Sequence, residues 1–223
     1  MLTKNRAIIA ILVVFTALSG CLSEVEDETA PLIFVLGNNP QYMRLNTAYK
    51  DTGVMVTDNN AILKIWTDVS ELDTSKAGRY KVNYFAEDFN SNVSQANRIV
   101  IVKIEAANLV GKWDGQRHEP PDAVTPELFE DSIQELSNTK IRFMNIGGLS
   151  SKTLSSDLLG NLGDTLGIYP QVIQTTSTTV ISFTGAGKIA SDGKSFEIGY
   201  QRIIDNSGDK DTLFGKLIYQ KKP

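Results

Sequence analysis

Short apolar runs broken by turn residues, about every eight to twelve positions, constrain this chain more than any other feature. Leu32-Ile33-Phe34-Val35-Leu36 opens the series, and Gly37-Asn38-Asn39-Pro40 turns it. Gly53 to Thr57 follows and ends at Asp58-Asn59-Asn60, then Ile62 to Val69, then Tyr80 to Ala86, then Arg98 to Ile104. Tyr80, Val82, Tyr84 and Ala86 alternate with period two, which places them on one face of a strand. Strands this short and this evenly spaced predict a β-sandwich over residues 31–105.

A fresh strand begins at Leu109-Val110-Gly111-Lys112-Trp113, after a short junction at residues 104–108. Thr125 is placed to cap a helix with Pro126 at its first position. Phe129, Ile133 and Leu136 recur at i, i+4 and i+7, predicting a short helix over residues 126–137 that lids its own core. Ser150 to Tyr169 reads as loop, and strands are expected at 140–146, 172–174, 178–184, 185–190 and 195–204. Asp192-Gly193 marks a hairpin turn, and residues 205–211 form a second hairpin loop before a last strand at 212–220. Residues 109–223 are therefore expected to form an antiparallel β-barrel or sandwich, and the fold class is all-β.

The N-terminus carries a different signal. Lys4 and Arg6 precede an apolar run from Ala7 to Leu18, followed by Leu18-Ser19-Gly20-Cys21. That run covers only about 18 Å as a helix, whereas a bilayer-spanning helix needs roughly 20 apolar residues. The small residues at its end form the flank of a cleavage site. The stretch resembles the lipobox of a bacterial lipoprotein signal peptide, with residues 1–20 removed and Cys21, the only cysteine, acylated. An uncleaved anchor and an ordinary secreted protein are the alternatives. Residues 21–30 are polar and acidic (Glu24, Glu26, Asp27, Glu28), the composition of a tether. They resemble the acidic export signal of surface-exposed lipoproteins in some Gram-negative bacteria. The resemblance implies a lipid-anchored, palmitate-bearing protein of the outer membrane facing the cell exterior.

Asp51-Thr52-Gly53, Thr57-Asp58-Asn59, the run Asp73 to Tyr84 and Ala86-Glu87-Asp88 resemble a bacterial immunoglobulin-like domain of the hyalin-repeat kind. The usual Gly-Asn turn after Ala-x-Asp is here Phe89-Asn90-Ser91-Asn92, and asparagine tolerates the left-handed conformation such a turn needs. The order of segments resembles two-domain surface lipoproteins of starch-utilisation-type outer-membrane systems. That resemblance implies an accessory role with glycans at the cell surface.

Chemistry is harder to find. The chain has 22 Lys+Arg against 26 Asp+Glu, and losing Lys4 and Arg6 leaves it more acidic, which argues against nucleic acid as a partner. One histidine and one cysteine do not make a His/Cys metal site. His118 lies in a proline-rich loop with no nucleophile motif, and no carboxylate pair of the glycosidase kind sits in a motif. Asp51, Asp58 and Asp88 have the chemistry of calcium ligands, but each also fits a turn closed through its own backbone. Asp205, Ser207, Asp209 and Asp211 alternate as in a calcium loop, but the flanks read as strands and the twelfth position is Lys216. No catalytic residue, metal site or cofactor is expected, and the protein is read as a non-enzyme. Trp66, Trp113, Tyr169 and Tyr200 are the candidate ligand-binding aromatics for a glycan, provided they are exposed. A structural or interaction component of an outer-membrane complex is the alternative. Membrane attachment through lipid makes one direct prediction: Cys21→Ser abolishes metabolic lipid labelling and releases the protein from membranes, as read by labelling and fractionation.

Overall fold

The computed structural model describes residues 27–120, 125–149, 154–174, 176 and 178–223. Cys21, the leader before it and most of the acidic tether lie outside the described residues.

The first half builds two facing sheets. Strands β1 (Leu32–Val35) and β3 (Val54–Thr57) form a two-stranded antiparallel sheet. The second sheet has the order β2 (Gln41–Arg44), β6 (Val93–Lys103), β5 (Gly78–Asp88), β4 (Ile62–Asp68), with β2 parallel to β6 and the rest antiparallel. On β5 the period-two face of Val82, Tyr84 and Ala86 is buried as expected. Asp88 continues it and is also buried. The turn after it does contain a left-handed residue, but that residue is Ser91 (φ 66°) rather than an asparagine.

Arg98 is the least expected occupant of this interior. It lies on the inward face of β6 with no exposed surface. Its Nε donates to the Tyr84 hydroxyl (3.0 Å), Nη1 to the Asn38 carbonyl (2.7 Å), and Nη2 to the Leu36 carbonyl and to Thr52 Oγ1 (2.7 Å). Asp51 stands 3.6 Å away and itself accepts from Tyr84 Oη (2.7 Å) and Gly53 N (3.0 Å). A buried charge needs a counter-charge and filled hydrogen bonds, and the Asp51-Thr52-Gly53 motif supplies both. Asp51 thus does close its own turn, and in addition it anchors a core cation. This one side chain fastens the 36–38 and 51–53 segments to the larger sheet.

The second half is a closed antiparallel barrel of eight strands in the order β10 (Leu154–Leu159), β11 (Thr165–Gln174), β12 (Thr179–Ile189), β13 (Ser195–Asn206), β14 (Asp209–Lys221), β7 (Gly111–His118), β8 (Glu127–Ser137), β9 (Lys140–Phe143). Pairing of β9 with β10 closes the ring. Three local expectations are corrected. The helix expected over 126–137 is strand β8, hydrogen-bonded to both β7 and β9. Phe129 and Ile133 are four apart, a spacing that satisfies either period, and the inward residue between them is the buried Asp131, which hides the alternation. The one short helix, α1 (Ala106–Leu109), lies instead in the junction. The expected loop over 150–169 contains β10 and the start of β11, with Leu154, Ser156 and Leu158 buried. Strands 178–184 and 185–190 are one strand, β12. Gly185 and Gly187 occupy inward positions where a Cβ would collide with the carbonyls of Gly199 and Glu197, so small residues allow the close approach of β12 and β13. The hairpin at Asp192-Gly193 forms as expected (Gly193 φ 68°), and residues 205–211 turn through Ser207 and Gly208.

Sandwich and barrel meet end to end. Ile104 N bonds Leu162 O (2.8 Å), Ala77 N bonds Ser191 O (2.7 Å) and Ala106 N bonds Asn138 O (2.9 Å). Leu45, Ile104, Ala106 and Leu109 are buried there, and Trp113 Nε1 donates to the Leu109 carbonyl (2.9 Å).

Arg98→Met is expected to cost about 3–5 kcal/mol, because it removes the buried guanidinium that pairs with Asp51 and holds the Leu36 and Asn38 carbonyls. Burial pushes the Asp51 carboxyl up, but Tyr84, Gly53 and Arg98 outweigh it and hold it below the ordinary value. A carboxyl depressed in the folded state contributes stability above about pH 3.9 that is lost as pH falls through its folded value. Denaturant titrations across that window should show an acid-sensitive increment that is smaller in the Met variant, where only Tyr84 and Gly53 still hold the carboxyl down.

Candidate functional site

Inward positions along β7 and β13 run Trp113, Gly115, Arg117 and Phe196, Ile198, Tyr200, Arg202. The end nearest the sandwich is filled by rings. Trp113 meets Phe196 at 4.7 Å, Phe196 stacks on Tyr219 at 4.4 Å, and Phe129 and Phe143 meet Tyr219 at 5.3 and 5.7 Å.

Above them, the segment 144–149 folds across the barrel, with a 3-10 turn at Ile146–Gly148. Asp131 holds it. Its Oδ1 accepts from the backbone N–H of Ser132 (2.6 Å), Met144 (3.0 Å) and Asn145 (2.7 Å), and its Oδ2 from Tyr219 Oη (3.0 Å). Burial pushes the Asp131 carboxyl above its ordinary value, and these donors offset that only in part.

The mouth farthest from the sandwich is polar. Arg202 Nη2 donates to Glu119 Oε2 at 2.7 Å, and Arg117 Nε lies 3.9 Å from the same oxygen. Arg117 Nη1 donates to the Gly147 carbonyl (2.6 Å), and its Nη2 pairs with Glu127. Glu119, Arg117 and Arg202 are only 12–13% exposed. Tyr200 lies beneath them, 5% exposed and stacked on Phe183 at 4.9 Å. Burial, then the Glu119 charge, push its phenol well above the usual tyrosine range. Glu119 Oε1, Arg202 Nε and Tyr200 Oη are sealed from solvent without a well-formed hydrogen bond, and the Glu119 carboxylate lies close enough to the Tyr200 hydroxyl to interact with it. Among the described residues, two guanidiniums face two carboxylates at the mouth. The three sealed atoms are an acceptor, a donor and a hydroxyl that does both, a set that matches the hydroxyl groups of a neutral ligand.

The four aromatics singled out from sequence do not form one platform. Trp113 is fully buried in the core, and Tyr200 is buried with one ring face on Phe183. Trp66 stands on the outer face of the β4–β5 pair, stacked on Phe85 at 5.1 Å, with the Lys64 ammonium 4.6 Å from its ring. Tyr169 is 60% exposed beside a bulge in β11. Of the three aspartates weighed as calcium ligands, Asp51 serves Arg98, while Asp58 and Asp88 come together at the opposite end of the sandwich from the barrel. His118 ends β7, opposite Lys216. Arg117, Glu119 and Arg202 were not singled out from sequence. The signal lay in alternation: Arg117 continues the inward series of Trp113 and Gly115, and Arg202 that of Ile198 and Tyr200.

Comparison with known proteins places part of this architecture. Residues 33–102 match the family described as bacterial surface protein, Ig-like domain. The match coincides with the two-sheet half and points to a cell-surface or membrane-associated setting. No curated protein matches the chain. Among solved structures, a lipoprotein from Bacteroides thetaiotaomicron is 14% identical, with 85% of this chain and 100% of that chain covered and a TM-score of 0.30. A DUF3598-family protein of unknown function from Nostoc punctiforme is 11% identical, with 78% and 80% covered and a TM-score of 0.31. A protein of unknown function from Bacteroides ovatus is 10% identical, with 86% and 95% covered and a TM-score of 0.29. Scores of this size carry no property over to this chain.

The mouth makes a stability prediction of its own. Glu119→Ala leaves Arg117 and Arg202 facing each other, nearly buried. The barrel should lose about 2–4 kcal/mol, measured by urea unfolding, whereas Glu127→Ala at the solvent edge of the network should cost less than about 1 kcal/mol.

Proposed function

We propose that this chain is a lipid-anchored accessory protein of the bacterial cell surface that binds a neutral, hydroxyl-rich ligand, a polysaccharide, at the barrel mouth, and that it does not catalyse. The observation supporting this reading is the nearly buried polar lining of the mouth, where Glu119 Oε1, Arg202 Nε and Tyr200 Oη lack well-formed hydrogen bonds and would gain them if a ligand's hydroxyls entered among them. Burying a polar group without a partner costs about 1–3 kcal/mol, and sugar hydroxyls can donate and accept in the same place. The site lies at the end of the barrel away from the sandwich, the half that is similar to the bacterial surface Ig-like family. A rigid β scaffold that presents connecting segments at one end is a common way to build a binding surface.

One observation favours a protein partner instead. Leu32, Phe34 and Met55 are 57, 43 and 51% exposed on the outer face of the β1–β3 sheet, an apolar patch of the kind that marks interaction surfaces.

Calorimetry of the full chain against a panel of neutral polysaccharides separates these readings. Binding to at least one polymer, weakened tenfold or more by Tyr200→Phe and by Glu119→Gln, is the expected result. Tyr200→Phe keeps the stack on Phe183 and removes only the hydroxyl. Binding that both variants leave unchanged moves the site away from the mouth. Failure of every polymer overturns the glycan reading, and turnover of a bound polymer overturns the non-enzyme reading.

A further inference from the structure

The sandwich end farthest from the barrel gathers three carboxylates from distant parts of the chain. Asp27 precedes β1, Asp58 follows β3 and Asp88 ends β5. One oxygen from each lies within 4.8 Å of the other two. Among the described residues, no lysine, arginine or histidine forms an ion pair with any of them.

Neutral donors hold one side of the group. Asp88 is completely buried. Its Oδ1 accepts the backbone N–H of Asn90 (2.8 Å) and Asn92 (2.9 Å), and its Oδ2 accepts Asn92 Nδ2 (2.9 Å). Asn59 Nδ2 donates to Asp27 Oδ1 (3.0 Å), and Asn92 Nδ2 donates to the Asp27 carbonyl (2.7 Å). Asp58 Oδ1 accepts Asn59 N (2.9 Å). The remaining oxygens are the informative ones. Oδ2 of Asp27 and Oδ2 of Asp58 are both sealed from solvent, and neither accepts a hydrogen bond. Anionic oxygens shielded from water, without donors and beside a third, fully buried carboxylate, are costly unless a proton or a cation compensates them.

We propose that Asp27, Asp58 and Asp88 bind one calcium ion. The donors are all hard oxygens, with neither imidazole nor thiolate, and the only histidine lies in the barrel half. Calcium sits 2.3–2.6 Å from its ligands in irregular shells, so two of its ligands stand no more than about 5 Å apart. The observed group fits within that span. Three residues far apart in sequence are thereby drawn together, and the ion fastens the chain to the sandwich where it enters β1. The ordering amides of Asn59, Asn90 and Asn92 keep the carboxylates aimed at a common point.

The test uses calcium chloride as the probe and the full chain purified in detergent and stripped with EGTA. Calorimetry should show one site per chain with a Kd on the order of 10⁻⁴–10⁻³ M or tighter, the range of extracellular modules. Saturating calcium should raise the unfolding midpoint of the sandwich, while magnesium at the same concentration should not. Asp58→Asn and Asp27→Asn should each weaken binding at least tenfold and abolish the calcium-dependent shift. In EGTA their midpoints should equal that of the unsubstituted chain, which shows that the variants fold. Absence of calcium binding in the unsubstituted chain overturns the proposal. So does binding that both variants retain, or an equal shift with magnesium. If Asp58→Asn does not fold, Asp27→Asn alone decides.

Discussion

Closure governs the second half of this molecule. Eight antiparallel strands joined edge to edge enclose an interior just wide enough for side chains, so every inward position must be reconciled with its neighbours across the ring. Trp113, Phe196 and Tyr219 fill it near the sandwich, and space for them is made by glycine elsewhere. A Cβ on Gly115 would enter the Phe129 ring, and one on Gly215 would enter the Tyr200 ring. Where the rings end, Tyr200, Arg202, Arg117 and Glu119 take over. The polar mouth is thus the continuation of the same inward rows beyond the point where the aromatic core stops.

The sandwich solves a related problem with charge. A two-stranded sheet such as β1–β3 has little area with which to hold itself against a larger one. Arg98 reaches from β6 to the carbonyls of Leu36 and Asn38, with Asp51 and Tyr84 completing its surroundings. Such a buried ion pair contributes less to net stability than its contacts imply, since desolvation offsets the attraction. Its value lies in geometry: a guanidinium fork accepts one arrangement of partners and rejects others.

The sequence made the general architecture legible and hid the particular sites. Period-two alternation over Tyr80 to Ala86 and the Asp192-Gly193 turn led directly to correct strands and a correct hairpin. Strand β8 was misread because Asp131 interrupts an otherwise apolar inward row, and Phe129 and Ile133 also fit a helical spacing. Strand β10 was missed because Ser155 and Ser156 look like loop residues, although Ser156 is buried among strands. Of the candidate aromatics, burial could not be judged from local pattern: Trp113 and Tyr200 occupy inward rows whose neighbours come from strands far away in the chain. Asp27, Asp58 and Asp88 meet only in the folded sandwich, since no spacing along the chain brings their segments together. Arg117 and Arg202 lay in the inward alternation, but a charged residue inside a barrel runs against the usual reading of an alternating strand.

The end-to-end contact between the halves has a mechanical consequence. Gly163 lies so close to the Ile104 carbonyl that no side chain could stand there, and backbone hydrogen bonds cross the junction at residues 77, 104 and 106. With the covalent link and these cross-links engaged together, the junction resists bending as a strut does rather than folding as a hinge. A tug at the distal mouth would therefore be carried as tension into β6 and its neighbours instead of being absorbed by pivoting. Strands β5 and β6 run lengthwise from the junction to the opposite end of the sandwich. Load along that axis shears their ladder, straining all its hydrogen bonds at once instead of peeling them one by one.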